Sequence, residues 1–332
     1  MKEFKLGIVG ATGAVGKKML KVLEEKNLQP KQLKLLASKS SVGEKITVFS
    51  QVHEIVEAKK ENFNGLDYIL FATGGSISKQ LVPEARNAGA IAIDNSSYFR
   101  LYDEVPLIVP EVNPEQIKTH NGIISNPNCS TIQMLVSLKP LHDYAKITRV
   151  VVSTYQAVSG SGKEGMEELQ SNTQTALKGK NFKPDAFQHE IAFNTIPHID
   201  SFDQLGNTGE ELKMVNETKK ILDPSIGVSV TCVRVPVFNG HGEAINVETK
   251  QKITRQKAEE LFRSFDGIKV IDDPNSNKYP MPTNIDGTDG VYVGRIREDN
   301  TVDYGLNFWN VADNLRKGAA TNAVQILELL VK

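Results

Sequence analysis

Among residue types capable of covalent chemistry, the sequence holds two cysteines and six histidines. Cys129 stands in SNPNCSTIQMLVSLKP, residues 125–140, between an Asn-Pro-Asn run and the apolar spacing of a helix. A thiol in the first turn of a helix meets unpaired amide donors and the positive dipole end, so a nucleophilic thiolate is the expected chemistry. Asn128 is suited to cap the helix that Ser130 begins. The strand GIIS precedes it, which places the thiol at the carboxyl edge of a sheet, where ligands collect in open α/β folds. Cys232 sits mid-strand between Val230 and Val233, the setting of a core thiol.

A thiol nucleophile needs a proton partner. His53, His120 and His142 fall on segments that read as surface loops or helix ends, and His189 and His198 flank the irregular IAFNTIP, where structural or interfacial roles are expected. His241 differs. NGHGE follows directly on VRVPVF, and its two glycines permit a sharp turn that aims an imidazole into a cleft. Arg234, seven residues earlier in that apolar run, needs a carboxylate, either the protein's own or that of a bound substrate. The residues alone leave these two readings equal.

GATGAVG spaces glycines at 10, 13 and 16 after the strand FKLGIV and before the helical KKMLKVLEE. That turn brings backbone amides to a pyrophosphate at a helix N-terminus. The second strand ends in ASKSSVGEK, with Ser38, Lys39, Ser40 and Ser41 and no acid before Glu44. A ribose 2′-hydroxyl calls for an acid here and a 2′-phosphate for hydroxyls and a cation, so NADP is expected.

These groups must be positioned by elements the texture already outlines. Apolar runs at LKLLAS, YILFAT, AIAID and LIVP alternate with segments able to carry helices, predicting a parallel sheet covered on both faces. After the cysteine helix, ITRVVVSTYQAV, VSVTCVRVPVF and EAINVETK are β-branched strands of a mostly antiparallel sheet. Helices are predicted at KEGMEELQSNTQTALKG, at ELKMVNETKKIL and in the C-terminal DNLRKGAATNAVQILELLVK. A chain of 332 residues is long for one core, so two domains or one elaborate α/β domain is expected, and a net charge of -1 lacks the basic excess that nucleic acid or a membrane surface would select. MKEFKLGIVG enters a strand at once and no run spans a bilayer, so a cytoplasmic protein is expected.

Taken as motifs, SNPNCSTIQ, TYQAVSGSG, FNTIPHID, CVRVPVFNGHGE and DNLRKGAATNAVQI, in this order, resemble the aspartate-semialdehyde dehydrogenase family. The resemblance runs from GATGAVG to the final helix. It implies an α/β fold of glyceraldehyde-3-phosphate dehydrogenase-like architecture. An N-terminal Rossmann-type parallel sheet, residues 1–127 with 313–332, would bind NADP, and an α+β unit, residues 128–312, with a mostly antiparallel sheet would catalyse and dimerise.

The implied reaction is reversible, NADP-dependent reductive dephosphorylation of L-4-aspartyl phosphate to L-aspartate 4-semialdehyde, toward lysine, threonine and methionine. Cys129 then forms the thioester, His241 is the acid/base and Gln156 orients the substrate. Arg234 matches the arginine that grips the α-carboxylate, and Glu210 the acid for the α-ammonium; a one-residue shift in register would exchange Glu210 with Glu211. Lys213, Arg100 and Asn128 match the group that receives inorganic phosphate. Cofactor contacts fall to Gly10, Thr12, Gly13, Ala14, Val15, Ser38, Lys39, Ser40, Ser159, Gly160 and Asn322. The chain departs from the family at Ser40, where members often carry arginine; Lys39 then supplies the charge, and use of NAD beside NADP stays open. The implied partners are the small-molecule substrate, phosphate and a second copy, as homodimer or homotetramer, with no metal.

Three rivals are consistent with parts of this pattern. A reductase of N-acetylglutamyl phosphate shares the turn, the cysteine and a histidine, but an acetylated amine has no charge for Glu210 to pair. A non-catalytic NADP-binding regulator needs no activated thiol. A cysteine hydrolase has no use for the dinucleotide turn.

Overall fold

The computed structural model describes residues 2–332. Its contacts divide the chain into two units: the residues up to Asn128 together with Gly318–Lys332, and Cys129–Lys317.

The first unit is built on β1 (Lys5–Val9), α1 (Ala14–Glu25), β2 (Gln32–Ala37), the hairpin β3 (Lys45–Val48) and β4 (Gln51–Glu54), β5 (Val56–Glu57), β6 (Tyr68–Phe71), α2 (Gly75–Asn87), β7 (Ile91–Asp94) and β8 (Ile123–Ser125). Six strands form one sheet in the order β5-β2-β1-β6-β7-β8, and every pairing is parallel. Winding reverses between β1 and β6, so the crevice beyond the end of β1 is the switch point at which such sheets bind ligands. The strands read as unbroken apolar runs because both faces are buried: Leu6 and Ile8 pack with Met19 and Leu23 of α1, whereas Val9 and Phe71 pack with Val82 and Ala85 of α2.

LIVP is not a strand. It makes a single bridge, Leu107 to Ser125, because Asn113 captures its backbone, accepting from Val109 N at 2.9 Å and donating to Leu107 O at 2.9 Å. A side chain that satisfies the backbone locally competes with the ladder.

The second unit holds α3 (Cys129–Ala145), β9 (Ile147–Gln156), α4 (Gly162–Ala176), α5 (Gly209–Ile221), β10 (Gly227–Arg234), β11 (His241–Thr249), α6 (Arg255–Ser264), β12 (Ile268–Val270), α7 (Pro282–Ile285), β13 (Val291–Asp299) and β14 (Gly305–Ala312). Its sheet runs β10-β9-β11-β14-β13-β12, antiparallel at the three central pairings and parallel at the two outer ones. α3 lies against this sheet and is buried on nearly all sides, from Ile132 and Met134 to Leu138 and Leu141. A helix apolar all round is a core helix, and its position is fixed by packing. His142 belongs to it: the residue is 5% exposed, with Nε2 3.5 Å from Asp223 Oδ2, and is not the solvated helix-end histidine its sequence setting suggests.

The chain then passes through a π-turn, Arg316–Ala320, into α8 (Thr321–Val331), whose Ala323, Ile326 and Leu327 complete the core of the first unit beside α1. Among the described residues no helix is long and apolar enough to cross a membrane.

Candidate active site

Three strand ends meet at one edge of the second sheet. Gln156 ends β9, Arg234 ends β10 beside it in register, and His241 opens the antiparallel β11, whose Gly242 pairs with Tyr155. β10 stops at Arg234 because Pro236 follows, which supplies no ladder donor. The sharp turn expected around the two glycines therefore lies earlier, in residues 235–240, and His241 is a strand residue with its ring fixed by pleat direction.

His241 is fully buried. Its Nδ1 accepts a hydrogen bond from Ala157 N at 3.0 Å, so the proton of the neutral ring resides on Nε2. Burial, reinforced by the Arg234 cation, pushes the imidazole down to about 3, which keeps it neutral. Arg234 is 6% exposed, donates through Nη1 to Ala157 O at 2.7 Å, and lies in the field of both Glu210 and the Cys129 thiol.

The loop Val158–Ser161 is laid over this pair by Val158 N to Val237 O and Ser159 N to Phe238 O, at 2.9 and 3.1 Å. A Cβ at Gly160 would stand 2.9 Å from Arg234 Nη1 and 3.5 Å from His241 Nε2, so glycine is what lets the loop close this far. Asn314 fastens it: Nδ2 donates to Ser159 Oγ at 2.9 Å, while Oδ1 accepts from Gly240 N, just before His241, at 2.9 Å.

α5 delivers the acidic groups and distinguishes two neighbours. Glu211 closes a capping box with Thr208 and also accepts from Cys232 N at 3.0 Å, so its carboxylate is committed to structure. Glu210 turns inward, 6% exposed, accepting from Gln156 Nε2 at 3.0 Å and Lys213 Nζ at 3.2 Å. Lys213 is also bound by Asp200 Oδ2 at 2.8 Å; burial alone would lower the ammonium, but Glu210 and Asp200 outweigh it and hold it above its ordinary value. Cys232 is buried, its Sγ 3.8 Å from Met214 Sδ, and burial pushes the thiol up, the behaviour of an inert core cysteine.

Cys129 is the first residue of α3, one position earlier than the sequence predicts, and is partly exposed. The second unit thus carries Cys129, Gln156, Ser159, Gly160, Glu210, Lys213, Arg234 and His241. Arg100 and Asn128 belong to the first, both buried; Arg100 donates to Asn126 O at 2.9 Å and Asn95 O at 2.8 Å.

The glycine turn also belongs to the first unit. Gly10 has φ +83°, and a Cβ there would collide with Ala72 O; Gly16 must be bare because α1 packs on the Gly10 carbonyl. α1 opens at Ala14 with no side-chain cap and no acid in its first turn, leaving its amides directed at the crevice. Ser38 and Ser40 share a hydrogen bond of 2.9 Å across the short helix Lys39–Ser41, directly after β2. Asn322 is fully buried, its Nδ2 donating to Ile108 O at 2.9 Å and Asn126 Oδ1 at 2.7 Å. Among the described residues no cluster of three or more His, Cys, Asp or Glu is arranged to hold a metal.

Three residues of this constellation escape a reading of the sequence: Asp200, Asn314 and Gln133, whose Nε2 donates to His241 O at 3.1 Å. Gln133 lies four residues after Cys129, one helical turn, and that spacing is the signal that could have found it. Asp200 and Asn314 lie in irregular segments without such periodicity.

A nucleotide-type parallel sheet followed by a helix-initial thiol beside a buried arginine and histidine defines a semialdehyde dehydrogenase, an oxidoreductase acting on an aldehyde group. Family models agree, the semialdehyde dehydrogenase NAD binding domain matching residues 5–120 and the semialdehyde dehydrogenase dimerisation domain residues 138–317. The aspartate-semialdehyde dehydrogenase of Aquifex aeolicus is 52% identical over 334 residues, 99% of this chain and 98% of the relative. A Vibrio cholerae crystal structure, aspartate semialdehyde dehydrogenase II complexed with ASA, is 46% identical at TM-score 0.97, covering 100% of this chain and 99% of that one. A Candida albicans aspartate semialdehyde dehydrogenase with NADP is 27% identical at TM-score 0.77, covering 99% and 98%. The chain belongs to the aspartate-semialdehyde dehydrogenase family. The expected fold, parallel nucleotide sheet plus mostly antiparallel second sheet, is borne out.

Proposed function

We propose that this protein reversibly converts L-4-aspartyl phosphate to L-aspartate 4-semialdehyde with NADP(H), in the cytoplasm, as a homodimer or homotetramer. The observation that carries the reading is Glu210: a buried carboxylate held by Gln156 and Lys213 offers a site for a free α-ammonium, which an N-acetylated substrate lacks. The buried Arg234 is the complementary site for the α-carboxylate, gripped by its planar fork.

Cys129 attacks the acyl phosphate carbon as its thiolate, a C–S bond forms as the C–O bond to phosphate breaks, and phosphate leaves carrying the bonding pair, with Lys213, Arg100 and Asn128 as the groups proposed to receive it. NADPH, when bound, supplies the hydride that takes the thioester carbon to the aldehyde level. Nε2–H of His241 donates a hydrogen bond to the thiohemiacetal oxyanion that hydride addition forms, and as the C–S bond breaks the oxyanion becomes the aldehyde carbonyl and the Cys129 thiolate is released. Gln156 holds the carbonyl beside Cys129. The Gly10 turn and the amides of Thr12, Gly13, Ala14 and Val15 fit a pyrophosphate, Ser38, Lys39 and Ser40 a 2′-phosphate, and Ser159, Gly160 and Asn322 the nicotinamide end. Lys39 is the one cation among Ser38–Ser41, so NADP is preferred and NAD is also accepted.

The test is reduction of NADP and of NAD by L-aspartate 4-semialdehyde, followed by absorbance with and without phosphate. Turnover that vanishes without phosphate and is faster with NADP is expected. No turnover from folded protein with either cofactor overturns the reading.

A further inference from the structure

Behind the strand ends lies a buried carboxyl to which the mechanism gives no task. Glu243 is fully buried, two residues along β11 from His241 and on the same face, opposite Thr154 on one side and Asn310 on the other. The side-chain amides of Asn310 and Gln133 lie against it, yet neither carboxyl oxygen has a hydrogen-bond partner.

Donor accounting shows why. Gln133 Nε2 spends its two hydrogens on His241 O at 3.1 Å and Asn310 Oδ1 at 2.9 Å. Asn310 Nδ2 spends its own on Gln133 O at 3.3 Å and Ser137 Oγ at 3.1 Å. Neither amide can be turned over, because the backbone carbonyls of His241 and Gln133 only accept. Gln133 Oε1 is itself left without a donor. The cluster therefore holds three unmatched oxygens, and one hydrogen on a carboxyl oxygen would match two of them, leaving only the carboxyl C=O without a donor. A carboxylate here would be a buried charge with no cation beside it and only amides whose hydrogens are already directed to other acceptors. The elements packed on it supply neutral Gln133 and Ser137 from α3, Thr154 from β9 and Asn310 from β14, and the titratable groups nearby are His241 on its own strand and Cys232 on β10.

We propose that Glu243 is a protonated carboxylic acid at neutral pH whose O–H donates to Gln133 Oε1, making it a positioning residue that locks the helix of Cys129 to the strand of His241. The added hydrogen satisfies Gln133 completely, and Gln133 sits one turn from Cys129 while gripping the carbonyl of His241. Burial raises the Glu243 carboxyl well above its ordinary range, and the adjacent amides offset this only in part. A folded-state value raised above the unfolded one means that the folded protein keeps a proton the unfolded chain releases above pH about 4. The stability this group contributes is complete below that pH and declines as pH rises.

The test compares wild type with Glu243→Gln, which mimics the neutral acid, and Glu243→Leu, which keeps size without a donor. The infrared difference between wild type and Glu243→Gln at pH 7 is expected to contain a protonated carboxyl C=O band. The melting temperature of Glu243→Gln relative to wild type is expected to climb between pH 5 and pH 8. Turnover stays within about 3-fold in Glu243→Gln and falls at least about 10-fold in Glu243→Leu, with little change in KM, since only the relation of thiol to imidazole is disturbed. A carboxylate band in place of the acid band, or a Glu243→Gln protein that is insoluble or as slow as Glu243→Leu, overturns the proposal. The kinetic arm rests on the proposed reaction; the infrared and melting arms do not, so failure of one is distinguishable from failure of the other.

Discussion

The two units build their sites by opposite means. In the first, the place proposed for the pyrophosphate is backbone: a glycine turn and the amides of α1, contiguous in sequence over residues 10–15 and shaped by what the side chains lack. In the second it is side chains from α3, β9, α5, β10 and β11, separated by up to 112 residues between Cys129 and His241 and held by mutual hydrogen bonds. A backbone site tolerates side-chain change except where a Cβ intrudes, whereas a side-chain site depends on each partner's type and hydrogen count.

The largest effect that this contrast predicts is at Cys129. Cys129→Ala is expected to lower turnover by at least about 10⁴-fold, with NADPH affinity within about 2-fold of wild type by fluorescence titration. Appreciable turnover in that variant removes the covalent mechanism, and lost NADPH affinity removes the separation of the two sites. Gly10→Ala tests the other side. An alanine at φ +83° costs about 1–2 kcal/mol and strikes the Ala72 carbonyl, so NADPH affinity is expected to fall about 10-fold or more while alkylation of Cys129 by iodoacetamide proceeds at the wild-type rate. Equal affinity would show that the turn does not hold the pyrophosphate.

The smallest effect concerns pH. The folded-state value of His241, near 3, lies below that of an unfolded histidine, about 6.5, so the unfolded chain takes up a proton that the folded protein refuses. Its contribution to stability is present above pH about 6.5 and lost as pH falls toward 3. His241→Asn is expected to flatten the fall of melting temperature over that window, by at most about 1.4 kcal/mol per pH unit. Parallel curves for the two proteins would mean that the ring is protonated in the fold.

The same contrast explains what the sequence disclosed. β1, β6 and β7 are nearly continuous apolar runs, buried along most of their length, and are legible for that reason; in β2 only the second half, Leu35–Ala37, is buried, and Lys34 interrupts the run. β13, VYVGRIRED, is not legible as a strand, since a bulge between Gly294 and Arg297 breaks its alternation and charges occupy its open face. Cys129, Arg234 and His241 stood out by chemistry against their surroundings. Which of Glu210 and Glu211 turns inward did not, because it depends on the cap at Thr208, which fixes where α5 begins. Gln133, Asn314 and Glu243 act through counts of donors and acceptors that exist only once the strands are paired.

α8 has a consequence for the order in which the molecule is made. Ala323, Ile326 and Leu327 fill the core beside Met19 and Leu23, and Asn322 bonds to Ile108 O and Asn126 Oδ1. During synthesis the nucleotide sheet emerges first, yet the face that α1 covers in part stays incomplete until the ribosome has translated the entire second unit and then α8. The half of the protein that is born first is the half that finishes last. A stop codon anywhere before α8 leaves the apolar surface that α1 does not cover exposed, and the nascent chain must shelter that surface for most of its time on the ribosome.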